Sequence, residues 1–212
     1  MYAKKLRNEL KALKKKPVDG FDVNVDESDI LKWAVTIHGP PGTDFEGGIF
    51  QAALTFPKDY PFSPPALQFT SAFWHPNVYK DGRVCISILH TPDPTNPAEA
   101  NHCWTPVQRV ETILLSVISM LSDPNCSSPA NVDASVEMRK NPAAYAARIK
   151  DCVEQSKAKA SDEDRRLSRK YLKRMKSLTA ASPSPDAETA SSASTASTAS
   201  TASSTKPPAD DD

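Results

Sequence analysis

Residues 31–38, Leu31-Lys32-Trp33-Ala34-Val35-Thr36-Ile37-His38, alternate, with Leu31, Trp33, Val35 and Ile37 on one face. That period of two reads as a half-buried strand, and Gly39-Pro40-Pro41-Gly42 ends it. Downstream, Phe50, Ala52, Leu54 and Phe56 alternate in the same way and stop at Pro57. A third strand follows at 66–70, after Tyr60-Pro61-Phe62-Ser63-Pro64-Pro65, and a weaker one precedes the set at 21–25. The loops between them are too short for a crossover helix, so the strands must pair as an antiparallel meander. Upstream, Leu6, Leu10 and Leu13 recur at helical spacing until Pro17 and Gly20 stop them, which predicts a helix over 3–15. After residue 104 the period turns helical again. Val110, Ile113, Leu114, Val117, Ile118 and Leu121 predict a buried helix, 131–140 a short one, and Pro142 opens a longer one through Tyr145, Ile149, Cys152 and Val153. Helix, four-stranded meander, then three helices is an α+β domain.

The 212 residues carry 26 basic and 26 acidic side chains. The zero sum hides unlike segments. Residues 1–16 hold seven bases (Lys4, Lys5, Arg7, Lys11, Lys14, Lys15, Lys16) and one acid, Glu9. Residues 177–212 hold five acids and one base, and Ser, Thr and Ala supply 25 of those 36 positions. Such a tail cannot bury enough surface to offset its ordering entropy, so it is expected to be disordered. Neutrality argues against a nucleic-acid binder, and no apolar run approaches the roughly 20 residues of a membrane span. The first residues lack a signal-peptide core, and four cysteines (Cys85, Cys103, Cys126, Cys152) do not make a disulfide framework. A reduced cytoplasmic or nuclear protein is the expectation.

Between Phe73 and Trp104 regular patterning lapses, and a long connection inside a compact domain is usually functional. Here the chain resembles the ubiquitin-conjugating enzymes. Their hallmark is His-Pro-Asn followed, eight residues after the Asn, by the cysteine that accepts ubiquitin. His75-Pro76-Asn77 and Cys85 have that spacing. The proline-rich Tyr60–Pro65 run before it, Trp104-Thr105-Pro106 after it, and Asp123-Pro124-Asn125 at the close of the next helix stand in family order. The resemblance covers about 2–158. It implies a catalytic domain over 1–158, a basic helical extension over 159–178 and a tail over 179–212.

The chemistry implied by the resemblance is acyl transfer. Cys85 takes the ubiquitin C-terminus as a thioester, and a substrate lysine then attacks the carbonyl. Asn77 is the donor to the developing oxyanion, or it orders the loop that forms the oxyanion hole. His75 and Pro76 shape the turn. Taken alone, Cys85 between Val84 and Ile86 is more simply an inert buried thiol; the triplet at its spacing reverses those odds. A cysteine protease needs a Cys–His pair, but nothing near Cys85 resembles a protease nucleophile motif. His90, His102 and Cys103 lack a second paired motif for zinc, so no metal is expected, and no cofactor either, since ATP is used by the activating enzyme. A conjugating enzyme for a ubiquitin-like modifier and a non-catalytic ubiquitin-binding variant are the alternatives.

Cys85 and Trp104 stand nineteen apart, so about a dozen residues around 90–102 are inserted relative to minimal members of the family. That insertion, with Ser127-Ser128-Pro129-Ala130-Asn131-Val132-Asp133-Ala134, looks like the branch that works with cullin–RING ligases, builds lysine-48-linked chains and serves proteasomal degradation. That branch carries a strongly acidic loop; this one holds only Asp93 and Glu99. Ser128 stands where many members place the acid that orients the incoming lysine, and Asp93 or Glu99 is expected to supply the missing carboxylate. By resemblance, Lys4, Lys5, Arg7 and Lys11 meet the activating enzyme, and Phe62, Pro129 and Ala130 meet a RING-type ligase. Substrate proteins and ubiquitin complete the partners of an expected monomer. Residues 165–178 hold seven bases and no acid, with Leu167, Tyr171, Met175 and Leu178 at helical spacing. A continuation of the last helix with a solvated face is favoured over a docking helix or a nuclear localisation signal.

Overall fold

A computed structural model describes residues 2–26, 28–93, 95 and 102–181. The meander forms as the alternation requires. Strands β1 (Phe21–Val25), β2 (Lys32–His38), β3 (Ile49–Thr55) and β4 (Ala66–Phe69) pair antiparallel in the order β1-β2-β3-β4. The register lines up the inward residues: Val35 faces Ala52, which faces Phe69, and Trp33 faces Leu54, which faces Leu67. A slip of one residue turns every one of these side chains to the other face, so the buried row itself fixes the pairing.

Four helices complete the core. Helix α1 (Tyr2–Lys15) buries Leu6, Leu10 and Leu13, and α2 (Val110–Ser122) buries Val110, Ile113, Leu114, Val117 and Leu121 in the same cluster as the sheet. Helix α3 (Val132–Lys140) is capped by the Asn131 side chain, and α4 (Pro142–Lys159) by Asn141, with Pro142 in its first turn. Glu9, the one acid of the first segment, is buried where α1 meets this core. Its carboxylate accepts from Tyr60 Oη (2.9 Å) and from the backbone N–H of Val110 (2.8 Å), the first residue of α2. One anion thus ties α1, the Pro-rich loop and the N-terminus of α2 together, where the helix dipole favours it.

The favoured continuation of the last helix is overturned. Chain direction changes at Ala160, which is extended, and a separate helix α5 (Asp162–Ala181) begins. The reason is local. Ser161 Oγ accepts from the Asp164 N–H (3.1 Å) while the Asp164 carboxylate accepts from the Ser161 N–H (3.2 Å), a reciprocal cap. Nor is α5 merely solvated. Tyr171 is buried against His38 (ring centroids 5.9 Å), Asp164 Oδ1 accepts from Thr36 Oγ1 (3.2 Å), and Arg174 and Lys176 pair with Asp19 and Glu46. Glu99 of the insertion and all of 182–212, including the acids of the tail, lie outside the described residues.

Candidate active site

The segment after β4 is pinned before it reaches Cys85. Phe73 stacks on Phe69 with ring centroids 3.8 Å apart. Trp74 Nε1 donates to Glu137 of α3 (2.8 Å), and Arg148 of α4 lies over the indole, 4.4 Å from its centroid. His75 is fully buried. Its Nδ1 accepts from the Asn77 N–H (2.9 Å), so its Nε2–H donates to Met120 O (3.1 Å). Burial holds this imidazole neutral, with its pKa pushed down to about 4. His75 therefore braces the turn and has no free nitrogen with which to serve as a base.

The chain then doubles back. Gly82 adopts φ +90, and a Cβ there meets Phe69 O at 2.2 Å, so the tight return onto β4 requires glycine. Val84 N–H donates to Leu67 O (2.9 Å) and Cys85 N–H to Asn77 O (2.9 Å). The triplet and the cysteine are thus joined by a backbone bond rather than by proximity alone. Asn77 is held in a two-bond clasp: its Nδ2 donates to Asn125 O and its Oδ1 accepts from Asn125 N–H, both at 2.8 Å. One of its two amide hydrogens is engaged there, which leaves the other as a donor.

Cys85 is half-buried and opens into a cleft of about 910 Å³ lined also by Asn77, His90, Asp93, Asp123 and Ser128. Its Sγ lies 3.6 Å from His90 Nε2 and 3.8 Å from Tyr79 Oη. The sulfur raises the Tyr79 hydroxyl's pKa above the ordinary phenol value, chiefly through that hydrogen bond. The insertion springs from this point, because Trp104 N–H donates to His90 O (2.8 Å) and closes the base of the loop. Asp93, in that loop, accepts from both the N–H and the hydroxyl of Thr95, and those bonds hold its carboxyl below the usual range. Those bonds orient the carboxylate at the rim of the cleft.

The family model described as ubiquitin-conjugating enzyme matches residues 5–153. Ubiquitin-conjugating enzyme E2 14 of Arabidopsis thaliana is 54% identical over 154 residues, covering 71% of this chain and 92% of that relative. This chain belongs to the ubiquitin-conjugating enzymes. Probable ubiquitin-conjugating enzyme E2 7 of Caenorhabditis elegans and ubiquitin-conjugating enzyme E2 15 of Schizosaccharomyces pombe are each 51% identical over 154 residues, again 71% of this chain, and 94% and 92% of the relatives.

The enzyme brings together some of the residues named from sequence and separates others. Lys4, Arg7 and Lys11 are exposed on α1, whereas Lys5 is half-buried and paired with Glu9 (3.4 Å). Phe62 is 65% exposed on its loop, and Trp104 Nε1 donates to Pro61 O (2.8 Å) beside it. That bond sets the loop of Val107, 81% exposed, next to the loop of Phe62. Ala130 instead lines a groove with Tyr79, Lys80, Arg83 and Val132, and Asn131 N–H donates to Pro76 O (2.8 Å). Pro129 and Ala130 thus neighbour the His-Pro-Asn turn, while Val107, unnoticed in the sequence, follows three residues after Trp104, whose indole holds the Phe62 loop at Pro61. The signal for Val107 was an apolar side chain straight after Pro106 in a loop. His90 and Tyr79 beside the thiol were also missed; each carries no local pattern, and only the fold brings it to the sulfur.

Proposed function

We propose that Cys85 carries the donor ubiquitin and passes it to a substrate lysine with the help of a RING-type ligase. The observation that carries this reading is the thiol itself: half-buried, opening into the cleft, its backbone bonded to Asn77. The Cys85 thiolate attacks the activating enzyme's thioester carbonyl, a new C–S bond forms and the activating enzyme's thiolate leaves. The neutral lysine amine then attacks that carbonyl, the C–N bond forms, the C–S bond to Cys85 breaks, and the amine's proton passes to water as the Cys85 thiolate departs. Asn77 orders the turn through its clasp on Asn125, and its remaining amide hydrogen is a donor for the oxyanion. Phe62 and Val107 form the apolar ligase-facing surface, and Lys4, Arg7 and Lys11 the basic face toward the activating enzyme. The loop that springs from His90 supports a cullin-associated ligase, chain building and degradation as the outcome, in the cytoplasm or nucleus.

Incubation with activating enzyme, ATP and ubiquitin tests the core of this. The expected product is an adduct that reductant abolishes, and Cys85→Ser is expected to give a reductant-stable oxyester. An adduct formed only with a ubiquitin-like protein favours the other modifier, and no adduct with either discards the catalytic reading. Asp93→Ala is expected to load normally and to discharge to lysine several-fold more slowly, because a carboxylate oriented at the cleft holds the incoming ammonium. Equal single-turnover discharge rates for Asp93→Ala and the unmodified enzyme discard that role.

A further inference from the structure

Between α4 and α5 the chain makes a two-residue link, Ala160-Ser161, and Ser161 is exposed. Ser161 is followed by Asp162, Glu163 and Asp164, and no other Ser or Thr in the chain precedes three consecutive acids. Asp162 and Glu163 are exposed, with side-chain exposures of 102% and 59%, and form surface ion pairs with Arg165 and Arg166 that water screens. A hydroxyl in a link with acids at the next three positions is what a protein kinase with a basic substrate cleft reads. Far away in sequence, Asp164 has a second engagement: its Oδ1 lies 3.2 Å from Thr36 Oγ1 of β2, 128 residues distant, whose single hydrogen it shares with Gln51 Oε1, also at 3.2 Å. The Ser161 hydroxyl therefore governs a carboxylate that fastens the start of α5 to the sheet.

We propose that Ser161 is a phosphorylation site for an acid-directed protein kinase, and that its phosphate unseats the first turns of α5 from β2. In the transfer, Oγ forms a bond to the γ-phosphorus of ATP, the bond to the bridging oxygen breaks, ADP leaves, and the hydroxyl proton passes to the kinase's carboxylate base. The esterified Oγ has lost its hydrogen and no longer donates to Asp164 Oδ2, a bond of 2.7 Å in the unmodified protein. The phosphate brings a charge of roughly −1.5 to −2 against that same carboxylate. Asp164 turns away, and with it goes the bond to Thr36. The far half of α5 keeps its own hold through Tyr171, Arg174 and Lys176.

The test uses the full chain, ATP and a purified kinase that requires an acid three residues after its acceptor hydroxyl. Fragment mass spectrometry is expected to place one phosphate on Ser161, and Ser161→Ala to lose it. Hydrogen exchange of the phosphorylated protein is expected to quicken several-fold over residues 162–168 and at Thr36, with residues 171–178 unchanged. Thr36→Val, which keeps the acids the kinase reads and removes the hydroxyl that faces Asp164, is expected to blunt that change. A kinase active on a control acidic peptide that leaves Ser161 unmodified overturns the site. Full phosphorylation without faster exchange at 162–168 overturns the unseating.

Discussion

His75 shows how a single side chain of the triplet is committed by its surroundings. Both ring nitrogens are occupied, one by the Asn77 N–H and one by Met120 O, and no water reaches them. The folded protein holds this imidazole neutral to about pH 4, against 6.5 for an ordinary histidine. A lowered histidine pKa means that the unfolded chain binds the proton first as pH falls. The stabilising contribution of neutral His75 is full above pH 6.5 and is lost progressively between 6.5 and about 4. Integrated over that window, the loss is about 3 kcal/mol. The prediction is a decline in stability over that range, with the His75 ring resonances keeping their neutral shifts down to about pH 5. A ring titration midpoint near 6.5 in the folded protein contradicts it. The family resemblance gave His75 a turn-shaping role, but the bonds that commit it are not in the triplet's letters, since whether a histidine is base or brace depends on what its second nitrogen meets. Met120 lies 45 residues away.

At the scale of elements, the parts with a strong period were legible and the parts held by long-range bonds were not. The four strands and α1 to α4 follow from the spacing of Leu, Val, Ile and Phe, because one buried face per element repeats every two or every 3.6 residues. The boundary at Ser161 was readable as well, since Ser followed three residues later by an acid is a helix start, but the basic run after it drew the attention. The site was legible as a spacing between Asn77 and Cys85. Its geometry was not, because Asn125 is 48 residues from Asn77 and the backbone of Pro61 is 43 from Trp104. Glu9 belongs here too. A lone acid in a Lys-rich helix looks like a solvated residue, yet it receives Tyr60 Oη and the first N–H of α2. Replacing it with Ala leaves two buried donors unpaired, at about 2 kcal/mol or more in total. Glu9→Gln keeps an acceptor for Val110 and is expected to lose less than half as much. Urea unfolding midpoints rank the variants, and an unchanged midpoint for Glu9→Ala removes the joint from the account.

Across the whole molecule, α5 is an added layer whose described ties run to the side of the sheet at Asp19, Thr36, His38 and Glu46. It packs on β2 and β3, while Cys85 hangs from the end of β4 and from the clasp on Asn125. Two kinds of contact hold the far half of α5, and their magnitudes differ. Arg174–Asp19 and Lys176–Glu46 are ion pairs whose bases are 62% and 64% exposed, so water screens them and each is worth little. Tyr171 is 7% exposed against His38, and burying a ring of that size contributes about 2 kcal/mol. The apolar contact therefore outweighs the charges that the basic composition of the helix puts in view. It follows that raising salt to about 1 M, where the Debye length is about 3 Å, leaves amide exchange over 171–178 nearly unchanged. Tyr171→Ala is expected to speed that exchange at least tenfold, since about 2 kcal/mol is more than one decade in the opening equilibrium. Thioester formation on Cys85 is expected to proceed at the unmodified rate in the same variant, because the described ties of the loosening layer run to Asp19, His38 and Glu46, whereas the sulfur is held from β4 and Asn125. Exchange that rises steeply with salt in the unmodified protein, and no further on Tyr171→Ala, assigns the hold to the ion pairs instead.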